Sequence, residues 1–171
     1  MYPGGNVIRV TPTLDAGTAY AANDVLFAST EIPNSVSSRG GVSKLLRVEL
    51  YNHKDTTCDM DIIFTQNQAD LGTVNSAVAS GSLWTEALVK SSKFLAAMVM
   101  DVGDTEIDLI NGLTSSAQYA GSATINNLSN GILLQASGGS TSVYFSGVDR
   151  TGSIDFGADD LEFIFHIEYL G

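Results

Sequence analysis

The chain has 171 residues with 8 basic and 19 acidic side chains, a formal net charge of -11 and a pI near 4.2. That length fits one domain with a core of its own, and 44% apolar against 16% charged residues excludes a disordered chain. No run approaches the roughly 18 apolar residues of a membrane-spanning helix, and the excess of carboxylates opposes nucleic acid, whose binding rests on cations that neutralise phosphates.

The first ten residues, MYPGGNVIRV, carry a proline and two glycines where a leader peptide has an apolar run. They are expected to form an extended N-terminal arm, about residues 1–10, leading into an edge strand over Val7–Thr11, and secretion is not expected. Val25–Ile32 is the next strand. Val42–His53 alternates, with Val42, Lys44, Leu46, Val48 and Leu50 on one side and Leu45, Arg47, Glu49 and Tyr51 on the other. Asp59–Gln66 follows, with Met60, Ile62 and Phe64 inward, and the polar turn Asn52–Cys58 predicts an antiparallel hairpin between the two.

Leu83–Met100 departs from this pattern: its first half suits a helical turn or two, and Phe94–Met100 is expected to be a buried strand. Glu106–Ile110 and Ala123–Leu128 give weaker strand signals, and Asn127-Leu128-Ser129 reads as a turn. Ile132–Ala136 and Val143–Val148 are stronger, and Ser137–Thr141 between them predicts a second hairpin. Leu161–Leu170 has the clearest alternation, with Leu161, Phe163, Phe165, Ile167 and Tyr169 facing the core and Glu162, Ile164, His166, Glu168 and Leu170 facing out. Seventeen glycines against three prolines punctuate these segments. The sum is one all-β domain over residues 1–171, an antiparallel β-sandwich of jelly-roll-like type with about eight to ten short strands.

Chemistry is poorly represented. The chain lacks G-x-G-x-x-G, Walker A, H-E-x-x-H and G-x-S-x-G patterns. A single cysteine, Cys58, makes no internal disulfide and too few ligands for a thiolate zinc site, and two histidines, His53 and His166, make no His-rich metal centre. His53 closes a strand and His166 lies on an outward face, so neither reads as catalytic. Asp55, Asp59 and Asp61, and then Asp101, Asp104, Glu106 and Asp108, gather in loop-rich stretches without the EF-hand spacing, and solvated loop charge is the expectation. No enzyme activity, cofactor or metal is expected. Residues 94–171 hold ten acidic side chains against Arg150 alone, a strip that favours solubility or a basic partner.

The order of several segments carries a resemblance: Tyr20–Phe27, Glu31–Asn34, Gly40–Leu46, Asp61–Phe64, Leu71–Ala77, Gly139–Tyr144 and Asp160–Phe163. From about Val10 to Leu161 the chain resembles small all-β virion proteins of tailed bacteriophages, some of which serve as capsid decoration or cement proteins. The resemblance implies a non-enzymatic protein on the capsid exterior, with the major capsid protein as partner and a homo-oligomer, a trimer, as its form. Tyr2, Val7, Ile8 and Arg9 of the arm, and Ile164 and Leu170 of the last strand, are then the expected partner interface. The alternative is a receptor- or carbohydrate-recognition module of a head fibre or tail, with Tyr20, Trp84, Tyr119 and Tyr144 as stacking rings.

Overall fold

The computed structural model describes residues 4–54, 58–78, 85–100, 106–108 and 122–170, with the backbone alone for 106–108 and 122–130. Among the described residues nine strands and one helix follow in the order β1 (Gly5–Val10), β2 (Val25–Ile32), β3 (Val42–Asn52), β4 (Met60–Thr65), α1 (Glu86–Ser92), β5 (Phe94–Met100), β6 (Glu106–Asp108), β7 (Ser122–Gln135), β8 (Val143–Asp149) and β9 (Leu161–Tyr169). They form a five-stranded sheet, β1-β9-β3-β7-β6, and a four-stranded sheet, β2-β8-β4-β5. Every pairing between these strands is antiparallel.

The topology is that of a jelly roll. The pairs β1·β9, β2·β8, β3·β7 and β4·β5 are those of one long hairpin folded double. Winding it into a roll adds β9·β3 and β8·β4 and places successive pairs in opposite layers. Both hairpins expected from loop length are therefore corrected. β3 and β4 lie in different sheets, as do β7 and β8. A short polar loop carries a chain across the edge of a sandwich as readily as it reverses it within a sheet, so loop composition did not discriminate.

Other expectations shift in detail. Ala123–Leu128 and Ile132–Ala136 fall mainly within one 14-residue strand, β7, which passes through Gly131 at φ +67°, and Asn127 pairs with Arg47 in that strand instead of turning. Glu106–Ile110 is represented by β6, and residues 109–110 lie outside the described ones. β5 is an edge strand with Phe94, Ala97 and Val99 exposed, so it is not buried as expected. The arm is, from Gly5 on, an in-register strand of the chain's own sheet.

The core lies between the sheets. Alternate residues of β9, namely Leu161, Phe163, Phe165 and Ile167, point inward together with Ile8, Leu45, Val48, Leu50, Met60, Ile62, Phe64 and Phe145. Phe145 is the hub, with ring centroids 5.1 Å from Phe27, 5.2 Å from Phe163 and 4.9 Å from Phe165. Full burial of each ring contributes roughly 1.5–3 kcal/mol, and the tilted and edge-on contacts add about 0.5–1.5 kcal/mol each.

The two outer faces differ. Over the four-stranded sheet a second, smaller core gathers Val25, Ile63 and Val148 of the strands with Leu71, Val74, Val78 and Leu88 of the segment linking β4 to β5. That segment docks edgewise on β2 through Val25 N–H to Ser76 O and Asn75 N–H to Val25 O. It ends in α1, capped by Thr85, whose hydroxyl accepts from Leu88 N–H, and closed by Lys93 in the left-handed region. One sheet is thus roofed by its own chain.

Candidate functional site: the open face of the five-stranded sheet

The outer face of the five-stranded sheet is built by alternation. β1 contributes Gly5, Val7 and Arg9; β9 contributes Glu162, Ile164, His166 and Glu168; β3 contributes Lys44, Arg47, Glu49 and Tyr51. The register aligns them in rows: Gly5–Glu168–Lys44, Val7–His166–Arg47, Arg9–Ile164–Glu49, and Glu162–Tyr51.

Across these rows runs a lattice of paired charges. Arg9 donates to Glu162 at 2.9 Å, and that hydrogen bond, with the carboxylate's charge, holds the guanidinium still more firmly protonated. His53 Nε2 stands 3.9 Å from the same carboxylate. Glu49 is buried and takes three partners: Arg47, His166 Nε2 at 3.0 Å, and the Tyr51 hydroxyl at 3.4 Å. A buried carboxylate is tolerable only when so satisfied. Both histidines of the chain therefore belong to this face, each beside a carboxylate. Such a lattice orders side chains and presents a surface of alternating sign.

A β-bulge shapes the same face. Against β9 the register of β3 slips between Leu45, opposite Ile167, and Arg47, opposite His166, so Leu46 is an extra residue and turns outward; against β7 the same step runs from Ile132 to Asn127, so there the longer stretch belongs to β7. The strict alternation expected for Val42–His53 is corrected by this slip: Leu45 joins Val48 and Leu50 in the core, while Leu46 is exposed. Leu133 of β7, opposite Lys44, is exposed beside it. Neither residue was among the expected interface positions. A bulge leaves no periodic trace, although the run Lys44-Leu45-Leu46-Arg47, with two adjacent leucines in an alternating strand, was the available signal.

The six expected interface residues separate. Val7, Arg9 and Leu170 are exposed and share this face, Leu170 N–H donating to Val42 O at its end. Ile8 is corrected to the core, since it alternates with Val7 and Arg9 and pairs with Phe165. Ile164 does lie on the outer side, but it is only 2% exposed, ringed by Arg9, Glu49, Glu162 and His166. It fills the lattice floor, beneath side chains whose aliphatic stems cover apolar surface. Tyr2 lies outside the described residues.

Elsewhere the polar groups serve the fold. Cys58 is buried, its Sγ 3.6 Å from Asp149 Oδ1, and burial first, then the Asp149 charge, pushes the thiol far above its usual range. Asp149 is itself fully buried and accepts from Thr151 and Gly152 N–H at 2.9 and 3.0 Å, closing the turn after β8. Asp61 pairs with Arg150 at 3.3 Å, and among the described residues no group of three His, Cys, Asp or Glu side chains is placed to hold a metal ion. Asp55, Asp101 and Asp104 lie outside them.

Of the rings considered for stacking, Tyr20 is corrected to a core residue. It is buried, with its hydroxyl accepting from Asp15 N–H at 2.7 Å and its pKa raised by burial. Trp84 and Tyr119 lie outside the described residues, and Tyr144 is half-buried on β8. A shallow depression of about 330 Å³ opens between Ala28–Ser29 and Gln68–Asp70. It has no converging charged groups beyond Asp70.

No family model matches the chain, and comparison with curated proteins gives no match.

Proposed function

We propose that the chain is a non-enzymatic structural protein of a phage virion that decorates or cements the icosahedral head. It contacts the major capsid protein from outside and acts as a homo-oligomer, with a trimer as the expected form. The observation that supports this best is the jelly roll with unequal faces, one roofed by the β4–β5 segment and the other carrying an ordered lattice of paired charge. Jelly rolls recur in viral capsid and lectin domains. The net charge of -11 suits a protein that must stay soluble at high concentration before it assembles.

Cosedimentation with heads of the source phage tests the reading. The expected result is saturable binding at a stoichiometry set by capsid symmetry, with a gain in the heads' resistance to heat. Absence of binding to heads, together with specific retention on a glycan array, would replace it with the recognition module.

A further inference from the structure

Single exposed apolar residues need no explanation, but four of the seven large ones in the described chain share one end of one sheet face. Val7 is 56% exposed, Leu46 40%, Leu133 62% and Leu170 46%. They come from β1, the β3 bulge, β7 and the end of β9, and sit in adjacent rows of the register. Three strand spacings, roughly 14 Å, separate the outermost two. Continuous with them lies the charged lattice of Arg9, Lys44 and Arg47 with Glu49, Glu162 and Glu168. From this arrangement we infer that the open face of the five-stranded sheet is where a second copy of this chain docks, centred on Val7, Leu46, Leu133 and Leu170.

Charge selects the occupant. On β1, β9 and β3 this face holds three cations and three carboxylates, a balance of zero in a chain of net charge -11. Two copies meeting through any strongly acidic surface would set like charges within a screening length of about 8 Å. Through this face they meet neutral, and cations of one copy can interleave with carboxylates of the other. A strongly basic partner would instead be drawn to the loops at the opposite end of the sandwich, which carry Asp15, Asp155, Asp159 and Asp160. An apolar centre with a charged surround that balances itself is the anatomy of a copy-to-copy contact. The inference rests on the homo-oligomeric part of the proposed function alone and not on its trimeric form, since a face that meets its own copy closes a two-fold pair.

The test is the mass of the full chain by light scattering and sedimentation equilibrium over a range of concentrations. The unmodified chain is compared with Leu133→Glu, Leu46→Glu and, as a control on another face, Val89→Glu in α1. Circular dichroism checks each fold, and Leu170→Glu, at the end of the sheet, replaces any variant that fails to fold. The expected result is an oligomer weakened about 30-fold or more by a charge at either central position and untouched by the control. A monomer at every concentration, or an oligomer indifferent to both face substitutions tested, would overturn it. Oligomers that ignore phage heads would uphold this surface while sinking the virion reading, and monomers that coat heads would do the reverse.

Discussion

Replacing Gly147 by alanine asks how tightly the aromatic core is keyed. Gly147 sits in β8 opposite Phe27 of β2, and a methyl group there meets the Phe27 ring, with Cζ at 2.7 Å and Cδ1 at 2.8 Å. Optimal carbon–carbon contact is about 3.5–4.0 Å, so the ring must retreat by roughly 1 Å. The core gives it no room: Phe27 is fully buried, and its centroid is 5.1 Å from Phe145 and 5.4 Å from Phe163. Overpacking a filled core costs about 1–3 kcal/mol, and this site belongs at the upper end. Alanine in a strand recovers about 0.5–1 kcal/mol over glycine, which leaves a net loss of about 2 kcal/mol. For a chain of this size that lowers the thermal midpoint by roughly 4–8 °C. Urea unfolding reads the loss as a lower midpoint at constant m. Phe27→Leu alone should cost about 1–2 kcal/mol through the lost ring, yet it removes the obstacle, so the double variant should fall short of additivity by about 1 kcal/mol or more. A Gly147→Ala protein as stable as its parent, or a strictly additive pair, would refute the keyed core.

Cys58 should be silent toward thiol reagents in the folded chain and react fully in denaturant, checked by counting thiols under both conditions. Because the folded thiol's pKa lies far above its unfolded value, its share of stability is intact below about pH 8.5 and declines at higher pH, by about 1.4 kcal/mol per unit. Denaturant melts from pH 7 to 10 should show that slope, and a Cys58→Ser variant should lose it; an identical slope in the variant would place the titration elsewhere. Asp149→Ala should destabilise by about 2–4 kcal/mol, since Thr151 and Gly152 N–H lose their acceptor in a buried turn. A loss below about 0.5 kcal/mol in urea would show that water satisfies both groups.

The layers of this fold were legible because periodicity of two is a direct record of which side of a sheet is dry. Phe163, Phe165 and Ile167 alternate with Glu162, His166 and Glu168, and the two faces followed. Which strands pair was not legible. Asn52–Cys58 and Ser137–Thr141 have hairpin length, yet each crosses between layers, because pairing is decided by partners more than a hundred residues away, such as β3 with β9. The candidate face was half legible. Val7, Arg9 and Leu170 were expected at an interface, but a one-residue slip at Leu46 inverts the sides of β3 beyond it, and no composition rule reports a slip. Ile164 shows the other limit: alternation assigns a side, whereas exposure depends on the stature of the neighbours around it.

β9 lies between β1 and β3, although more than a hundred residues separate it from either along the chain. In synthesis those two strands leave the ribosome well before residues 161–169, so neither can gain its pairing with β9 until these follow. Loop closure over such distances makes folding slow, and the waiting state shows the backbone edges that pair with the wrong chain. The alternation that makes β9 the clearest strand to read thus also makes it the keystone of assembly. A chain stalled before Leu161 would be a population of aggregation-prone intermediates, rescued by supplying the 161–169 strand as a separate peptide.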